Sequence, residues 1–304
     1  MGITLYKEPK LDNPDLIASW PGIGNIGLIA ADTLRAQTRS EELGEIEPWD
    51  FFYPRKVIIR SGVLEELEFP TSRFYYKRLA RKDVIFFIGE EQPADGERMY
   101  AEGRKAYRMA SLVLDVAEKL GCRRVYTSGA AVALTHHEIK PRVWAVGSRP
   151  ELLTEARGYK NTVLKSDVIG KGDHGSITGL NGLLLGLARA RGLEAMCLMG
   201  EIPDYLSGAP FPYPRASAAV VEVLAERLGV EVDFESLNQM SAQVDQVITG
   251  ICEKLPPDIR EKIDQRKQAL RLQQEGITEE DERWIKDHIE ELFKRGGREH
   301  EQPS

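Results

Sequence analysis

Three glycines near the amino end have the spacing of a phosphate-binding turn. Gly22, Gly24 and Gly27, within "LIASWPGIGNIGLIAADTLR" at residues 16–35, match the Gly-x-Gly-x-x-Gly fingerprint and lie between an apolar run and an amphipathic segment. Such a turn brings backbone amides and a helix N-terminus against a pyrophosphate. A dinucleotide site is therefore the first hypothesis that the sequence raises.

The residues that should accompany this fingerprint are only partly present. An acidic side chain is required at the end of the next strand to hold the ribose hydroxyls, but Glu45 and Glu47 precede the aromatic piece "WDFF" instead of closing a strand. We therefore favour a structural role, in which glycine permits a positive φ and a close approach of the backbone. Pyrophosphate, or a small anion at the helix N-terminus beside Asn25, is the alternative.

Other catalytic motifs are weaker. Gly170 and Gly175 have the spacing of a P-loop but lack its Lys-Ser/Thr pair, and no Gly-x-Ser-x-Gly nucleophile elbow occurs. Asp173 and His174 resemble a general-base pair, and Ser128 at a strand end has the chemistry of a nucleophile. Nothing in the sequence places these groups together, so we predict no catalytic residue.

Metal and cofactor sites are likewise not predicted. His136, His174, Asp173 and Glu201 could be combined into a metal site, but no HExxH or comparable spacing fixes their separation. Surface or supporting polar roles are the favoured interpretation of these residues. The three cysteines are far apart in apolar contexts and are interpreted as small core residues: Cys122, Cys197 and Cys252.

The order of the elements predicts an α/β protein. Strand and helix patterns alternate along most of the chain, which implies a three-layer α/β/α fold with a mostly parallel sheet. Between residues 44 and 76, short β-branched and aromatic pieces broken by Pro and Gly indicate strands of edge or hairpin character. Ligands bind such folds at the carboxyl ends of the strands, where Ser128, Gly129 and Glu201 would join the Gly22–Gly27 turn to line a crevice.

A loop rich in proline and aromatic residues follows the strand "AMCLMGE". Tyr205, Phe211 and Tyr213 lie in this loop, Ile202–Pro214. Aromatic side chains on a stiff loop can anchor a partner protein, and the alternative is that the loop covers its own core.

Beyond Val232 the strand patterns stop. Leu237, Met240, Val244, Val247 and Ile251 form a heptad-like seam, for which packing on the parent domain is favoured over an intermolecular coiled coil. Pro256-Pro257 ends that helix. We divide the chain into a domain at residues 1–255 and a charged helical extension at residues 256–304, with a capping box at Thr278 and Asp281 before a stripe of Ile285, Ile289 and Leu292.

Charge and hydropathy limit the classes of partner. A net charge of −7 and a pI near 5.5 argue against nucleic acid or an anionic membrane as the main partner. No secretion signal is evident at the amino end, and the longest apolar runs fall short of the roughly 18–20 residues that a membrane span requires. We expect a cytoplasmic protein.

Five separated motifs together resemble the proteasome assembly chaperone 2 family. They occur in the order "PGIGNIGLIAADTL", "SGVLEELEFP", "TSGAAVAL", "GSITGLNGLLLGLARARGLEAMCLMGEIPDYL" and "PYPRASAAVVEVLAERLGVEVDFESL", and the resemblance spans roughly residues 15–255. It implies an α/β/α core similar to nucleoside phosphorylases, and homo-oligomers among archaeal members. It also implies a non-catalytic protein that binds proteasome subunits or another protein client.

One feature of the family is not found. Several archaeal members end in a hydrophobic-tyrosine-any residue tail that docks on the proteasome, whereas this sequence ends Glu301-Gln302-Pro303-Ser304. The resemblance therefore does not supply a docking mode. The alternative function is an enzyme or binder of a nucleoside or phosphorylated small molecule, which would use the crevice at the strand ends.

Overall fold

Eleven strands and seven helices occur in the residues that the structure describes, which are 2–94, 103–164 and 175–274 of a computed structural model. The strands are β1 (Ile3–Leu5), β2 (Asp15–Ser19), β3 (Glu41–Ile46), β4 (Lys56–Arg60), β5 (Val63–Glu68), β6 (Ser72–Lys77), β7 (Val84–Gly89), β8 (Arg124–Ala133), β9 (Val143–Gly147), β10 (Thr162–Leu164) and β11 (Glu194–Pro203). The helices are α1 (Ile26–Gln37), α2 (Gly103–Lys119), α3 (Pro150–Arg157), α4 (Gly179–Ala190), α5 (Pro214–Leu228), α6 (Glu235–Cys252) and α7 (Pro257–Gln274).

Nine of the strands form one mixed sheet, in the order β1-β3-β6-β7-β2-β8-β11-β9-β10. The four central strands, β7, β2, β8 and β11, are parallel. On one side β6, β3 and β1 pair antiparallel, and on the other side β9 runs antiparallel to β11 and parallel to β10. The predicted α/β fold is confirmed. Parallel pairing holds at the centre, but the sheet as a whole is mixed. The short connection at residues 78–83 requires β6 and β7 to be antiparallel.

Helices cover both faces of this sheet, as the three-layer prediction requires. Leu16 and Ala18 of β2 belong to a core cluster that includes residues of α2 and α4. The intervening Ile17 belongs to a second cluster, which includes residues of α1, α3, α5 and α6. All three side chains are buried. Successive residues of a strand point to opposite faces, so a central strand that is apolar throughout needs a helical layer on each side.

The heptad-like seam packs mostly on its own domain. Leu237 and Ile248 of α6 are buried and Val244 is partly buried against the same core as α5. Val247 and Ile251 lie on the exposed side of the helix. The seam therefore divides into a packed stripe and an exposed pair of residues one turn apart.

The chain separates into two compact units, Met1–Lys254 and Leu255–Ser304. The first unit contains every strand and helices α1 to α6, and α7 is the described element of the second. The predicted capping box at Thr278 and Asp281 and the stripe of Ile285, Ile289 and Leu292 lie outside the described residues. No helix among the described residues is long and apolar enough to cross a membrane.

Candidate functional site

The glycine turn after β2 is shaped by packing. Gly24 has a φ of +59°, and a Cβ placed there would lie 2.9 Å from Cβ of Tyr213. Asn25, with a φ of 48°, also adopts the left-handed conformation. A Cβ on Gly27 would lie 2.3 Å from the carbonyl oxygen of Ser128, so the glycine lets α1 sit directly on β8. These three residues build the strand-to-helix turn.

Gly22 differs from the other two glycines. Its backbone is extended, with φ −164° and ψ −166°, and a Cβ built on it meets no atom within 4 Å. It lines a small hollow of about 120 Å³ together with Gln92, Gly129, Thr178 and Asn181. The hollow lies just beyond the carboxyl end of β2 but against the middle of β8 and β11, so the prediction that Ser128 and Gly129 lie at a strand end is wrong. Gly22 and Gly129 are thus the members of the predicted crevice that border open space.

A larger groove adjoins this hollow. It has a volume of about 510 Å³, and Trp144, Leu153, Leu164 and Met199 are among its mainly apolar walls. The two spaces share four lining residues: Ala130, Ser176, Ile177 and Met199. Clefts that bind small molecules have volumes of roughly 300–1,000 Å³ and are mostly apolar with a few polar groups, so the groove and the hollow together have suitable dimensions.

The polar groups of the hollow belong to neutral side chains. The Gln92 amide accepts a hydrogen bond from the backbone N–H of Leu180 at 3.1 Å and donates one to the carbonyl oxygen of Pro21 at 2.5 Å, which ties the start of α4 to the glycine turn. The Oδ1 atom of Asn181 is buried without a hydrogen-bond partner in the described part of the chain. No charged side chain lines either space among the described residues.

Glu201 does not line the hollow or the groove. Its buried carboxylate accepts hydrogen bonds from the backbone N–H and the guanidinium of Arg142, at 2.8–3.2 Å, and from Nε1 of Trp144 at 2.8 Å. Four donors on one carboxylate satisfy its hydrogen-bonding capacity and neutralise its charge. This arrangement fits a side chain that fixes β9 against β11.

Ser128 is also buried and faces no general base in the described residues. Its hydroxyl has no hydrogen-bond partner in that part of the chain, and the same holds for the hydroxyl of Ser19. A serine nucleophile needs a base within hydrogen-bond reach. The predicted general-base pair, Asp173 and His174, lies outside the described residues.

His136 and His137 form a stacked pair. The rings of His136 and His137 are 4.1 Å apart between centroids, and with Glu138 they form the one group of three potential ligands in the described ranges. Glu201 is not part of it. Nδ1 of His136 accepts a hydrogen bond from the Glu138 N–H at 3.1 Å, and a ligating histidine normally donates from its second nitrogen instead. The geometry therefore favours a structural role for this pair.

The aromatic loop packs inward. Tyr213 is 1% exposed, and Tyr205 and Phe211 are partly buried against the core of the first unit. The Tyr205 hydroxyl accepts a hydrogen bond from the N–H of His137 at 3.1 Å and forms another with its Nδ1 at 2.8 Å. The loop therefore covers its own core and presents little aromatic surface to a partner.

Sequence reasoning missed a buried ionic network at the amino ends of the central strands. Asp15 is fully buried, pairs with Lys82 and lies 3.6 Å from Arg227. Arg124 lies 2.7 Å from both Glu155 and Glu194. Burial raises the pKa of Asp15, and Lys82 only partly offsets that effect. The sequence signal for this network was Asp15, the single charged residue of the mainly apolar strand "DLIAS".

Comparison with known proteins agrees with this fold. A curated relative, the uncharacterized protein MJ1210 of Methanocaldococcus jannaschii, is 29% identical over 245 residues, which cover 80% of this chain and 84% of that protein. The crystal structure of Pyrococcus furiosus PbaB, described as an archaeal proteasome activator, superposes with a TM-score of 0.66 at 24% identity, covering 82% of this chain and 97% of that one. P. furiosus PbaA, described as an archaeal homolog of proteasome-assembly chaperone, gives a TM-score of 0.59 at 24% identity, covering 88% and 99%.

The family model places the match on the same part of the chain as the sheet and its helices. It extends over residues 16–251, from β2 to the last turn of α6. That interval includes the glycine turn, the crevice and the aromatic loop. This chain belongs to the PAC2 family.

Proposed function

We propose that this protein is a non-catalytic, cytoplasmic protein similar to proteasome-assembly chaperones, which binds a protein client as a homo-oligomer. The observation that carries the proposal is the PAC2 match across residues 16–251, together with fold similarity to PbaB and PbaA over more than nine-tenths of each of those chains. Proteasome subunits are the first client class to test, because PbaB and PbaA are described by their roles with the proteasome.

Exposed apolar surface supports a role in protein binding. Seven of the fourteen large apolar side chains that are exposed in the described residues lie between positions 49 and 67: Trp49, Tyr53, Val57, Ile59, Val63, Leu64 and Leu67. Exposed apolar patches of this kind often mark sites where a protein contacts another protein. The crevice, in contrast, supplies no charged acid or base from the described residues that line it.

The exposed side of α6 is the client surface that we favour. Val247 and Ile251 are 50% and 41% exposed and are four residues apart, so they lie on one face of the helix. The aromatic loop is the less favoured surface because Tyr213 is buried. An amphipathic helix that presents such a pair suits a groove on a client protein.

Association with recombinant proteasome α subunits tests this function directly. We expect the full chain to form a complex with α subunits at micromolar concentrations in sedimentation velocity, and to increase the yield of assembled α rings. The double variant Val247→Ser with Ile251→Ser should bind at least tenfold more weakly. The matched control Tyr107→Ala removes an exposed side chain from α2 and should bind normally. No complex with α or β subunits would contradict the proposal.

A neutral small molecule in the crevice is the second candidate function. The adjoining hollow and groove favour it, because Asn181 offers an unpaired amide oxygen beside mainly apolar walls. Thermal unfolding with nucleosides and with nucleotides at millimolar concentration tests it. A ligand at 100 times its Kd stabilises by about 2.7 kcal/mol. We expect any shift to come from the nucleosides and to disappear in Asn181→Leu; no shift with either class would reject this candidate.

A further inference from the structure

Residues 56–68 form a hairpin that stands apart from the main sheet, and we call it the arm. Strands β4 and β5 pair only with each other among the described strands, so both outer edges of the arm are open. Ser61 and Gly62 join the strands with φ values of 52° and 80°, the conformation of a tight two-residue hairpin turn. An isolated two-stranded hairpin is at best marginally stable in water, so the arm needs a partner.

One face of the arm is apolar throughout. Val57 lies opposite Leu67 and Ile59 lies opposite Leu64, with an irregularity in the pairing between Ile58 and Ile59 that leaves Glu65 as an extra residue. Without this bulge Leu64 and Leu67, three positions apart, would point to opposite faces. The bulge therefore places four aliphatic side chains on one face, all of them exposed, by 47% (Val57), 65% (Ile59), 62% (Leu64) and 37% (Leu67).

The two strands of the arm carry opposite charges. Strand β4 contains Lys56 and Arg60, whereas β5 contains Glu65, Glu66 and Glu68. Cross-strand ion pairs join Lys56 to Glu68 at 3.0 Å and Arg60 to Glu65 at 3.4 Å. One edge of the arm is therefore basic and the other is acidic.

We propose that the arm joins copies of this chain, with the β4 edge of one copy paired antiparallel to the β5 edge of the next. Basic residues then lie opposite acidic ones, whereas pairing β4 with β4 or β5 with β5 would oppose like charges. Two neighbouring copies cover both open edges of an arm, because the arm is complementary to itself. A client strand would cover only one edge. The proposal rests on the homo-oligomeric state in the proposed function and does not depend on the client.

Contacts of this head-to-tail kind repeat from copy to copy until a ring closes. In a closed ring no open edge remains, and the four-residue apolar faces point inward, away from water. A ring of roughly four arms makes a closed sheet of about eight strands, whose interior is just wide enough for side chains to fill. Edge pairing, charge complementarity and burial of the apolar face are thus satisfied by one arrangement.

Charge-reversal variants of the full chain test this pairing by light scattering after size-exclusion chromatography. The variant Lys56→Glu with Arg60→Glu has two acidic strands, and the variant Glu65→Lys with Glu68→Lys has two basic strands. We expect the oligomer of either variant alone to dissociate at a protein concentration at least tenfold higher than that at which the oligomer of the unaltered protein dissociates. An equimolar mixture of the two variants should reassemble, because every contact between neighbouring arms can then join an acidic edge to a basic one.

Two further variants complete the test. A chain with all four substitutions exchanges the charges of the strands and should assemble by itself. Ile59→Ser with Leu64→Ser should weaken assembly, whereas the control Leu134→Ser, at an exposed site outside the arm, should not. A monomeric unaltered protein, reversal variants that stay assembled, or a mixture and a fourfold variant that stay dissociated would each overturn the proposal. Loss of client binding with assembly intact would instead contradict only the proposed function.

Discussion

The carbonyl oxygen of Ser128 lies where a side chain on Gly27 would have to go. A Cβ on Gly27 would be 2.3 Å from that oxygen and 2.9 Å from Oγ of Ser19, well inside van der Waals contact. The last glycine of the fingerprint thus sets how closely the first helix packs on the central strands. Gly22, the first glycine, has no atom within 4 Å of the equivalent position.

This difference predicts opposite outcomes for two alanine substitutions. Gly27→Ala should lower the free energy of unfolding by about 1–3 kcal/mol or more, because α1 must move away from β8. Gly22→Ala should change it by less than about 0.5 kcal/mol, since its extended backbone suits any residue. Urea denaturation measures both. Equal effects of the two substitutions would contradict the packing role of Gly27.

The Glu201 carboxylate is expected to stabilise the fold rather than to act in chemistry. Glu201→Ala removes the acceptor of the buried Trp144 N–H, while the half-exposed Arg142 guanidinium can be hydrated, so the substitution should cost about 1–3 kcal/mol of unfolding free energy. The control Glu222→Ala removes an exposed partner of Lys140 and should cost at most about 1 kcal/mol. Chemical denaturation of both variants gives the comparison, and similar small losses would show that the Glu201 bonds contribute little.

The central fold follows from sequence patterns because those patterns have one physical solution. A run such as "VIFFIG" at Val84–Gly89 is apolar at every position and must be covered on both faces, which fixes a central strand of an α/β sheet. For the glycine turn, the missing acidic residue favoured a structural role over an anion site, and the close approaches at Gly24 and Gly27 agree with that role.

The arm shows what sequence patterns do not determine. The piece "KVIIRSGVLEELE" predicts a hairpin. Its order of apolar and polar residues, however, is the same whether one face of the hairpin packs on a core or lies in water. The bulge at Glu65 changes which side chains share a face, and that depends on register. Exposure of the four aliphatic residues therefore became visible only with the structure.

The crevice was predictable in position and only partly in membership. Gly22 and Gly129 line the hollow, but Gly129 lies in the middle of β8 and not at its end as predicted. Glu201 lies near the end of β11, yet its carboxylate is bonded to Arg142, which precedes β9, and to Trp144 of β9. Gln92 and Asn181 come from distant segments, so no local motif could have identified them.

Thiol reactivity should follow burial. Burial raises the pKa of Cys197 to about 11 and that of Cys122 to about 12, so both remain protonated and shielded at neutral pH. Cys252, half-buried at the end of α6, is the accessible thiol. We expect Ellman's reagent at pH 8 to label one thiol rapidly in the native protein and all three after denaturation. Cys252→Ser should abolish the rapid phase, and a rapid phase that persists would place Cys122 or Cys197 in contact with solvent.

Gln92 should couple the glycine turn to helix α4. Its side chain accepts a hydrogen bond from the N–H of Leu180 in the first turn of that helix, and donates to Pro21. Gln92→Ala removes this cap and should lower the free energy of unfolding by about 0.5–2 kcal/mol. Gln92→Glu keeps the acceptor for the Leu180 N–H but cannot donate to the carbonyl oxygen of Pro21, so it should also lower the free energy of unfolding, although the helix dipole favours its charge.

Hydrogen exchange at the Leu180 amide separates this capping role from a general loss of stability. Exchange should accelerate in Gln92→Ala but stay slow in Gln92→Glu, because only the alanine variant leaves that N–H without its acceptor. Gln239→Ala, which removes an exposed bond to Glu235 within α6, is the control and should leave both the exchange rate and the stability unchanged. Equal protection of Leu180 in the alanine and glutamate variants would mean that the helix start is held by its packing and not by Gln92.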